Sequence, residues 1–259
     1  EPTREVIQDI FEKHITEAKG MEKIREMVNG PIIPTPGAVM KASKILKDEI
    51  GDLVTIDVGG ATTDIHSVTE GTEKVKKVLV EPEPVAKRTV EGDLGVFINK
   101  KNIVDIIKIE NLEKELNMTF EDVENFTNSD IAIPESEEHK RFIERLTKEA
   151  VIVSINRHAG GYRTYFGGKT NTLAFGKDLT GVKWLIGTGG ALTRLTAREE
   201  ILNSISQFNR VDKLLPMAEA QVLIDNDYIM ASLGVLSSLY KEAAVKLLLK
   251  SLKFNENVI

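Results

Sequence analysis

Two glycine-rich segments carry the residue types that a phosphate-binding site needs. The first, residues 57–64, reads Asp-Val-Gly-Gly-Ala-Thr-Thr-Asp and continues an apolar stretch that begins at residue 53. Glycines permit a sharp turn, and they let backbone N–H groups approach phosphate oxygens because no side chain intervenes. We therefore predict a phosphate-binding strand-turn-strand with Gly59, Gly60 and Ala61 in the turn.

The polar residues of this segment have separate predicted roles. Asp57 ends the entering strand, where a carboxylate can hold the water shell of Mg²⁺ or orient an attacking water. Thr62 and Thr63 offer hydroxyl groups to phosphate oxygens, and Asp64 can brace the turn through its backbone contacts. On residue types alone, a plain hairpin with a glycine turn explains the segment equally well.

The second segment, residues 184–194, reads Trp-Leu-Ile-Gly-Thr-Gly-Gly-Ala-Leu-Thr-Arg. It is typical of a glycine turn that leaves a buried strand and opens a helix, where a base or ribose can lie on bare backbone. The candidate nucleotide-binding residues here are Gly187, Thr188, Gly189, Gly190 and Arg194. Such turns are common in α/β domains. Two complementary turns about 130 residues apart, with a helical region between them, favour a nucleotide clamp.

The elements that must position these turns follow from hydrophobic periodicity. Apolar stretches at residues 53–58, 65–68 and 75–80 predict three strands of a meander. Residues 137–158 keep a helical period, and residues 227–252 predict one long helix with an aspartate as its N-cap.

A second group of signals lies before the first turn. Thr35 and Pro36 predict an N-cap followed by proline at the first helical position, in a helix that ends near Gly51. Together these patterns predict an α/β fold with a mixed five-stranded sheet. The expected domain organisation is a helical lead-in over residues 1–30 and one domain over residues 31–259, with an inserted helical subdomain at about 100–150.

Composition excludes several classes of protein. The chain has 259 residues, a net charge of -6 and no cysteine. It therefore forms no disulfide and has no thiolate metal site, and it has no broad basic field for nucleic acid. No apolar run reaches the roughly 20 residues that span a bilayer. A cytoplasmic location is the default expectation.

Three further positions are weaker candidates. His66 is predicted to be structural because no second histidine has metal-ligand spacing. Lys177 is a candidate nucleotide contact. Arg157 and His158 could bind an anion or a partner, although basic residues at the end of a helix also complement its dipole.

The pattern Asp-x-Gly-Gly-x-Thr-x-Asp at residues 57–64 resembles the second phosphate motif of the actin, heat-shock ATPase and sugar-kinase superfamily. Gly189 and Gly190, with the helix after them, resemble its adenosine motif. Gly92 and Asp93, in the run Gly-Asp-Leu-Gly, resemble the glycine loop of the heat-shock branch. Ala61 replaces a third glycine that is usual in that branch.

Longer phrases resemble the MutL family associated with adenosylcobalamin-dependent glutamate mutase and related aminomutases, which is unrelated to the mismatch-repair protein of the same name. These phrases are residues 57–71, 91–95, 176–180 and 186–190. The resemblance covers most of residues 30–259. It implies an actin-like ATPase domain with a ribonuclease H-like fold.

The same resemblance implies a function. It points to a cytoplasmic, ATP-dependent accessory factor that acts as a reactivating chaperone and exchanges damaged cobalamin out of a partner mutase. The expected ligands are ATP or ADP with Mg²⁺, which Asp57 would hold through water. Direct binding of cobalamin, nucleic acid or membrane is not expected.

The superfamily's first phosphate motif, Asp-x-Gly-x-Thr, has no counterpart before Asp57. We therefore expect this chain to be the C-terminal half of a two-jawed clamp, with ATPase activity in the full-length protein and little in this part alone. Two alternatives stay open: a small-molecule kinase of the same superfamily, and an actin-like scaffold protein.

Overall fold

The computed structural model describes residues 6, 10, 20–28, 30, 32–165, 171–208 and 210–254. The strands are β1 (Leu53–Val58), β2 (Thr63–Val68), β3 (Ala86–Glu91), β4 (Gly161–Tyr165), β5 (Asn171–Phe175), β6 (Trp184–Thr188) and β7 (Gln221–Ile224). The helices are α1 (Met21–Met27), α2 (Thr35–Ile50), α3 (Glu73–Lys76), α4 (Lys100–Ile107), α5 (Ile109–Leu116), α6 (Phe120–Asn128), α7 (Glu137–His158), α8 (Gly189–Arg194), α9 (Arg198–Gln207), α10 (Met230–Leu236) and α11 (Lys241–Ser251).

Five strands form the central sheet, in the order β3-β2-β1-β6-β7. The first three strands pair antiparallel, and β6 and β7 continue the sheet parallel to β1. Three antiparallel strands continued by two parallel ones are the arrangement expected of a ribonuclease H-like sheet. The predicted α/β class and the mixed five-stranded sheet are confirmed, and β4 and β5 form a separate two-stranded sheet.

Each face of the sheet packs on its own layer of helices, because side chains alternate along β1. Val54, Ile56 and Val58 point into a core shared with the helices between β3 and β4 and with α9. Leu53 points into the other core, which α2, α10 and α11 build. Burial on both faces fixes the register of β1, and with it the end of the strand where Asp57 lies.

The helix before β1 begins one residue earlier than predicted. Pro34 precedes α2, Thr35 is already helical, and no side chain caps the helix. The predicted N-cap role of Thr35 is therefore wrong. The end near Gly51 is confirmed: Gly51 has a φ of 91° and donates its N–H to the carbonyl of Lys47.

The predicted strand at residues 75–80 is wrong. Thr72 accepts a hydrogen bond from the Val75 N–H and starts the short helix α3. Val75 and Leu79 pack instead against Ala174 of β5. The third strand of the meander is β3, which comes after the proline-containing connection.

The predicted single helix at residues 227–252 is wrong as well, because the structure has the two helices α10 and α11 there. A glycine in α10 permits close packing on α2. A Cβ added at Gly234 would lie 1.9 Å from the carbonyl oxygen of Ala38 on α2. α10 and α2 thus meet with their backbones in contact.

Three short helices, α4 to α6, follow β3 and form one apolar core with α7. α7 matches its predicted bounds and packs against β1 and β2 as part of the layer on the sheet. Most of the lead-in helix predicted before Gly20 lies outside the described residues. The proposed domain boundaries stay a prediction.

Candidate functional site

The first glycine turn is a tight hairpin between β1 and β2. The Gly59 N–H donates to the carbonyl of Thr62 at 2.9 Å, which leaves Gly60 and Ala61 at the tip. Within the described part of the chain, the N–H groups of these two tip residues donate to no protein oxygen. Two adjacent N–H donors at an exposed turn are suited to an anion.

The loop after β3 supports the hairpin from behind. The N–H groups of Val96 and Phe97 donate to the carbonyls of Gly59 and Gly60, at 3.2 and 2.9 Å. A Cβ added at Gly95 would lie 2.2 Å from the carbonyl carbon of Ala61. The hairpin's carbonyls are thus held on the protein side, and its shape depends on glycine in the supporting loop.

Three polar side chains of the hairpin form hydrogen bonds within the protein. The Thr63 hydroxyl is fully buried and donates to the Leu94 carbonyl at 2.6 Å. The Thr62 hydroxyl donates to the Asp64 carboxylate at 3.0 Å, and Arg88 donates to that carboxylate at 2.9 Å. Both threonine hydroxyl groups therefore donate to protein oxygens instead of the phosphate oxygens that we predicted. Asp64 braces the turn through contacts with side chains rather than through its own backbone.

Asp57 is the acid that lies beside both glycine turns. It lies at the end of β1, with Asp64 opposite on β2 and Thr188 opposite on β6. Burial, followed by the charges of Asp64 and Asp225, raises the pKa of Asp57 to about 6, although Arg88 acts against this. Near neutral pH the group is thus a carboxylate with a proton affinity that suits acid–base work.

The second glycine turn touches Asp57 directly. Gly189 has a φ of 87°, and a Cβ added there would lie 2.5 Å from the Asp57 carboxylate oxygen Oδ1. Gly187 and Thr188 belong to β6 rather than to the turn, and α8 begins at Gly189. The two segments singled out in the sequence therefore meet at one point in the fold.

A third acid completes this region, and the sequence analysis did not select it. Asp225, directly after β7, is buried and accepts from the Thr188 hydroxyl at 2.9 Å and from the Met230 N–H at 2.9 Å. It also accepts from the Ser251 hydroxyl at 2.8 Å. It caps α10, the role predicted for Asp227, and its charge acts on Asp57.

A cavity of about 290 Å³ opens between the two turns. Gly60 and Phe97 line one side, and Gly190 and Arg194 line the other. Ile133, from the connection between α6 and α7, also lines it. No atom outside its own neighbours lies within 4 Å of a Cβ added at Gly190, so bare backbone faces the cavity there. A flat, largely apolar group fits this space.

The acids and the cavity fit a magnesium-bound phosphate chain. Asp64 and Asp225 are occupied by internal hydrogen bonds, whereas Asp57 has no side-chain hydrogen bond among the described residues. One available carboxylate can hold Mg²⁺ through its waters, since this ion keeps several of them. No group of three potential metal ligands occurs in the described ranges, so the protein would supply few direct ligands.

The loop residues Gly92 and Asp93 are placed differently from each other. Open space surrounds a Cβ added at Gly92. Asp93 forms a two-pronged ion pair with Arg157, at 2.8 and 3.0 Å, and these hydrogen bonds hold the pKa of Asp93 below its usual value. The Asp93 carboxylate is therefore engaged with a cation of α7 rather than directed at the hairpin.

We expect Asp93→Asn to lower the free energy of unfolding by less than about 1 kcal/mol, because exposed ion pairs contribute little. Urea unfolding at neutral pH measures this. The effect should shrink further in 1 M salt, which screens exposed charges. A loss of several kcal/mol would show that the Arg157 pair holds the loop in place.

Two of the weaker candidates are structural. Lys177 is buried, and its ammonium donates to the carbonyls of Thr69, Pro84 and Val85, so it is not available to a nucleotide. His66 is fully buried, and burial lowers its pKa to about 3, which agrees with the predicted structural role.

The histidine at the end of α7 is internal as well. His158 is hydrogen-bonded to the hydroxyl groups of Thr89 and Ser67, both at 2.8 Å. It therefore ties the helix to the sheet.

Among the helices that the structure describes, none has the length and apolarity needed to cross a bilayer.

The sheet order and the two converging glycine turns define an α/β domain with a ribonuclease H-like sheet. The chain belongs to the MutL family: the family model described as MutL protein matches residues 1–252. It is 37% identical over 266 residues to Protein MutL of Clostridium tetanomorphum, covering 97% of this chain and 57% of that protein. The chain thus spans little more than half the length of this curated relative.

Two solved structures are similar at low identity. Ethanolamine utilization protein EutJ from Carboxydothermus hydrogenoformans has a TM-score of 0.33 and 16% identity, over 76% of this chain and 52% of that one. Component A of (R)-2-hydroxyglutaryl-CoA dehydratase from Acidaminococcus fermentans has a TM-score of 0.34 and 14% identity, over 80% of this chain and 69% of that one.

Proposed function

We propose that the protein is an ATP-dependent reactivating chaperone for an adenosylcobalamin-dependent mutase of the glutamate mutase kind, acting in the cytoplasm. The observation that carries the nucleotide part is the contact between Gly189 and the Asp57 carboxylate. It brings a phosphate-type hairpin, an available acid and a helix-opening glycine turn to one cleft.

Each part of the cleft has a role in this proposal. The N–H groups of Gly60 and Ala61 bind phosphate oxygens, and the cavity beside Gly190 takes the adenosine. Asp57 holds the water shell of Mg²⁺ or orients the water that attacks the terminal phosphorus. Arg194, exposed at the cavity, stacks on the base or stays in solvent.

The chaperone part rests on membership of the MutL family. In this proposal, ATP and ADP favour different closures of the clamp, and the mutase subunits bind the two states with different affinities. The nucleotide thereby controls release of damaged cobalamin from the mutase. Because this chain spans part of its curated relative, the full-length protein is the form to assay.

The test uses the full-length protein with a mutase whose cobalamin has been inactivated by light. We expect MgATP to accelerate cobalamin exchange, and a non-hydrolysable ATP analogue to support it poorly. If the protein binds MgATP and leaves exchange unchanged, the chaperone role is wrong. Transfer of the terminal phosphoryl group to a sugar or carboxylic acid in the same assay would establish the kinase alternative.

A further inference from the structure

Tyr228 stands out as a backbone outlier beside the cleft. Its φ is 54°, in the left-handed region that glycine and asparagine adopt more easily than a bulky residue. The residue is 53% exposed, so packing in the core does not explain an aromatic residue there. Strained positions of this kind occur at functional sites, where the side chain matters more than the local backbone energy.

The turn that carries Tyr228 is fastened to the site. The Tyr228 N–H donates to the carbonyl of Asp225 at 3.1 Å. The Asp225 carboxylate holds the Thr188 hydroxyl, and Thr188 lies beside Asp57 across the β1–β6 pair. This chain of contacts makes the position of Tyr228 depend on the same elements that position the acid.

The charged groups that act on the Tyr228 phenol are residues of the candidate site. Burial raises the pKa of Tyr228, and the negative charges of Asp57 and Asp225 raise it further, whereas Arg194 lowers it. The phenol is therefore within electrostatic reach of both the acid and the cavity-lining arginine. With its pKa raised, it keeps its proton at neutral pH and is available as a hydrogen-bond donor.

We propose that Tyr228 is a positioning residue at the phosphate end of the cleft, where its O–H donates a hydrogen bond to an anionic oxygen of the bound phosphate chain. This inference rests on the proposed nucleotide function. The phosphate end follows from the contacts that join the Tyr228 turn, through Asp225 and Thr188, to the end of β1 where Asp57 lies. The cavity that fits the base lies apart from this turn, between Gly60 and Gly190.

The test measures binding of MgADP and of adenosine to the full-length protein by calorimetry, for wild type, Tyr228→Phe and Tyr228→Asn. We expect Tyr228→Phe to bind MgADP roughly tenfold more weakly, as for loss of one hydrogen bond to a charged group, and to bind adenosine unchanged. Tyr240→Phe is the matched control, because Tyr240 is a similarly exposed tyrosine at the start of α11.

Thermal unfolding separates this role from a structural one. Asparagine tolerates the left-handed backbone, so Tyr228→Asn should melt no lower than wild type while it binds MgADP more weakly. If Tyr228→Phe binds MgADP like wild type, or weakens adenosine equally, the proposal is wrong and the nucleotide function stands. If wild type binds neither ligand, the nucleotide function itself is wrong and this role with it.

Discussion

Gly189→Ala should lower the free energy of unfolding by about 3 kcal/mol or more. The added methyl group would lie 2.5 Å from both the Asp57 carboxylate and the Val58 carbonyl oxygen, and 2.7 Å from the Val58 nitrogen. These are backbone atoms of a buried central strand and a carboxylate at its end, so none of them can move away cheaply. The φ of 87° adds roughly 1 kcal/mol for any residue with a Cβ.

The neighbouring glycine supplies a matched control. Gly190→Ala meets no atom within 4 Å and lies in the first turn of α8. Alanine is a better helix former than glycine, so the free energy of unfolding of this variant should be unchanged or higher by up to about 1 kcal/mol. Urea unfolding of both variants measures the difference between two adjacent glycines.

Ligand binding distinguishes the two glycine variants by a second measurement. The methyl group of Gly190→Ala points into the cavity, so we expect weaker binding of adenosine by a protein that is fully folded. Equal stability of the two variants would contradict the contact between Gly189 and Asp57. Unchanged adenosine binding by Gly190→Ala would remove the cavity from the nucleotide site.

This pair of glycines shows which parts of the site could be predicted from the sequence. Residue types identified both turns, because a phosphate hairpin and a strand-to-helix turn each need glycine locally. Their contact is a property of the sheet: β6 follows β1 by more than a hundred residues and pairs with it in parallel. The pairing of two complementary turns favoured one clamp, but it did not predict the contact between Gly189 and Asp57.

The misjudged elements share one cause, which is that tertiary contacts outweighed local pattern. Residues 75–80 are rich in valine like a strand, yet Thr72 starts a helix there, and the Asp178 carboxylate holds Thr72 by accepting from its N–H and hydroxyl at 2.7 and 2.8 Å. Asp227 looked like the cap of α10, but the carboxylate that reaches the helix belongs to Asp225. Asp178 lies 106 residues from Thr72, and Asp225 is held by Thr188 of β6 and Ser251 of α11, so periodicity registers neither set of contacts.

Hydroxyl groups were equally hard to assign from the sequence. Thr62 and Thr63 are adjacent and chemically alike, but Thr62, in the turn before β2, donates to Asp64, whereas Thr63, the first residue of β2, donates to the Leu94 carbonyl in the interior. The sequence identified which groups could donate. Only the register of the hairpin decides whether a protein acceptor already takes the proton.

Asp57→Asn should reduce ATP turnover of the full-length protein by roughly a hundredfold or more, because asparagine cannot accept a proton from water or hold a magnesium shell with a negative charge. Single-turnover hydrolysis at saturating MgATP measures the chemical step. MgADP binding by calorimetry shows whether the variant still takes up nucleotide. Turnover equal to wild type would remove Asp57 from the reaction.

The same substitution should stabilise the fold at neutral pH. Folding raises the pKa of Asp57 from 3.8 to about 6, so the folded state binds the proton more tightly than the unfolded chain does. The tighter proton binding stabilises the folded state fully below pH 4, and this stabilisation is lost as the pH rises through 6. We therefore expect the free energy of unfolding of Asp57→Asn to exceed that of wild type by about 3 kcal/mol at pH 8, and by little at pH 4.

Urea unfolding of both proteins at pH 4, 6 and 8, without nucleotide or magnesium, measures this difference. Asp93→Asn is the control with the opposite sign. The pKa of Asp93 is lowered by Arg157, so its smaller contribution is present at neutral pH and is lost as the pH falls. Parallel profiles for Asp57→Asn and wild type would mean that the Asp57 carboxylate is well solvated. A gain in stability with a loss of turnover would show an acid kept at a cost to the fold because the cleft requires its charge.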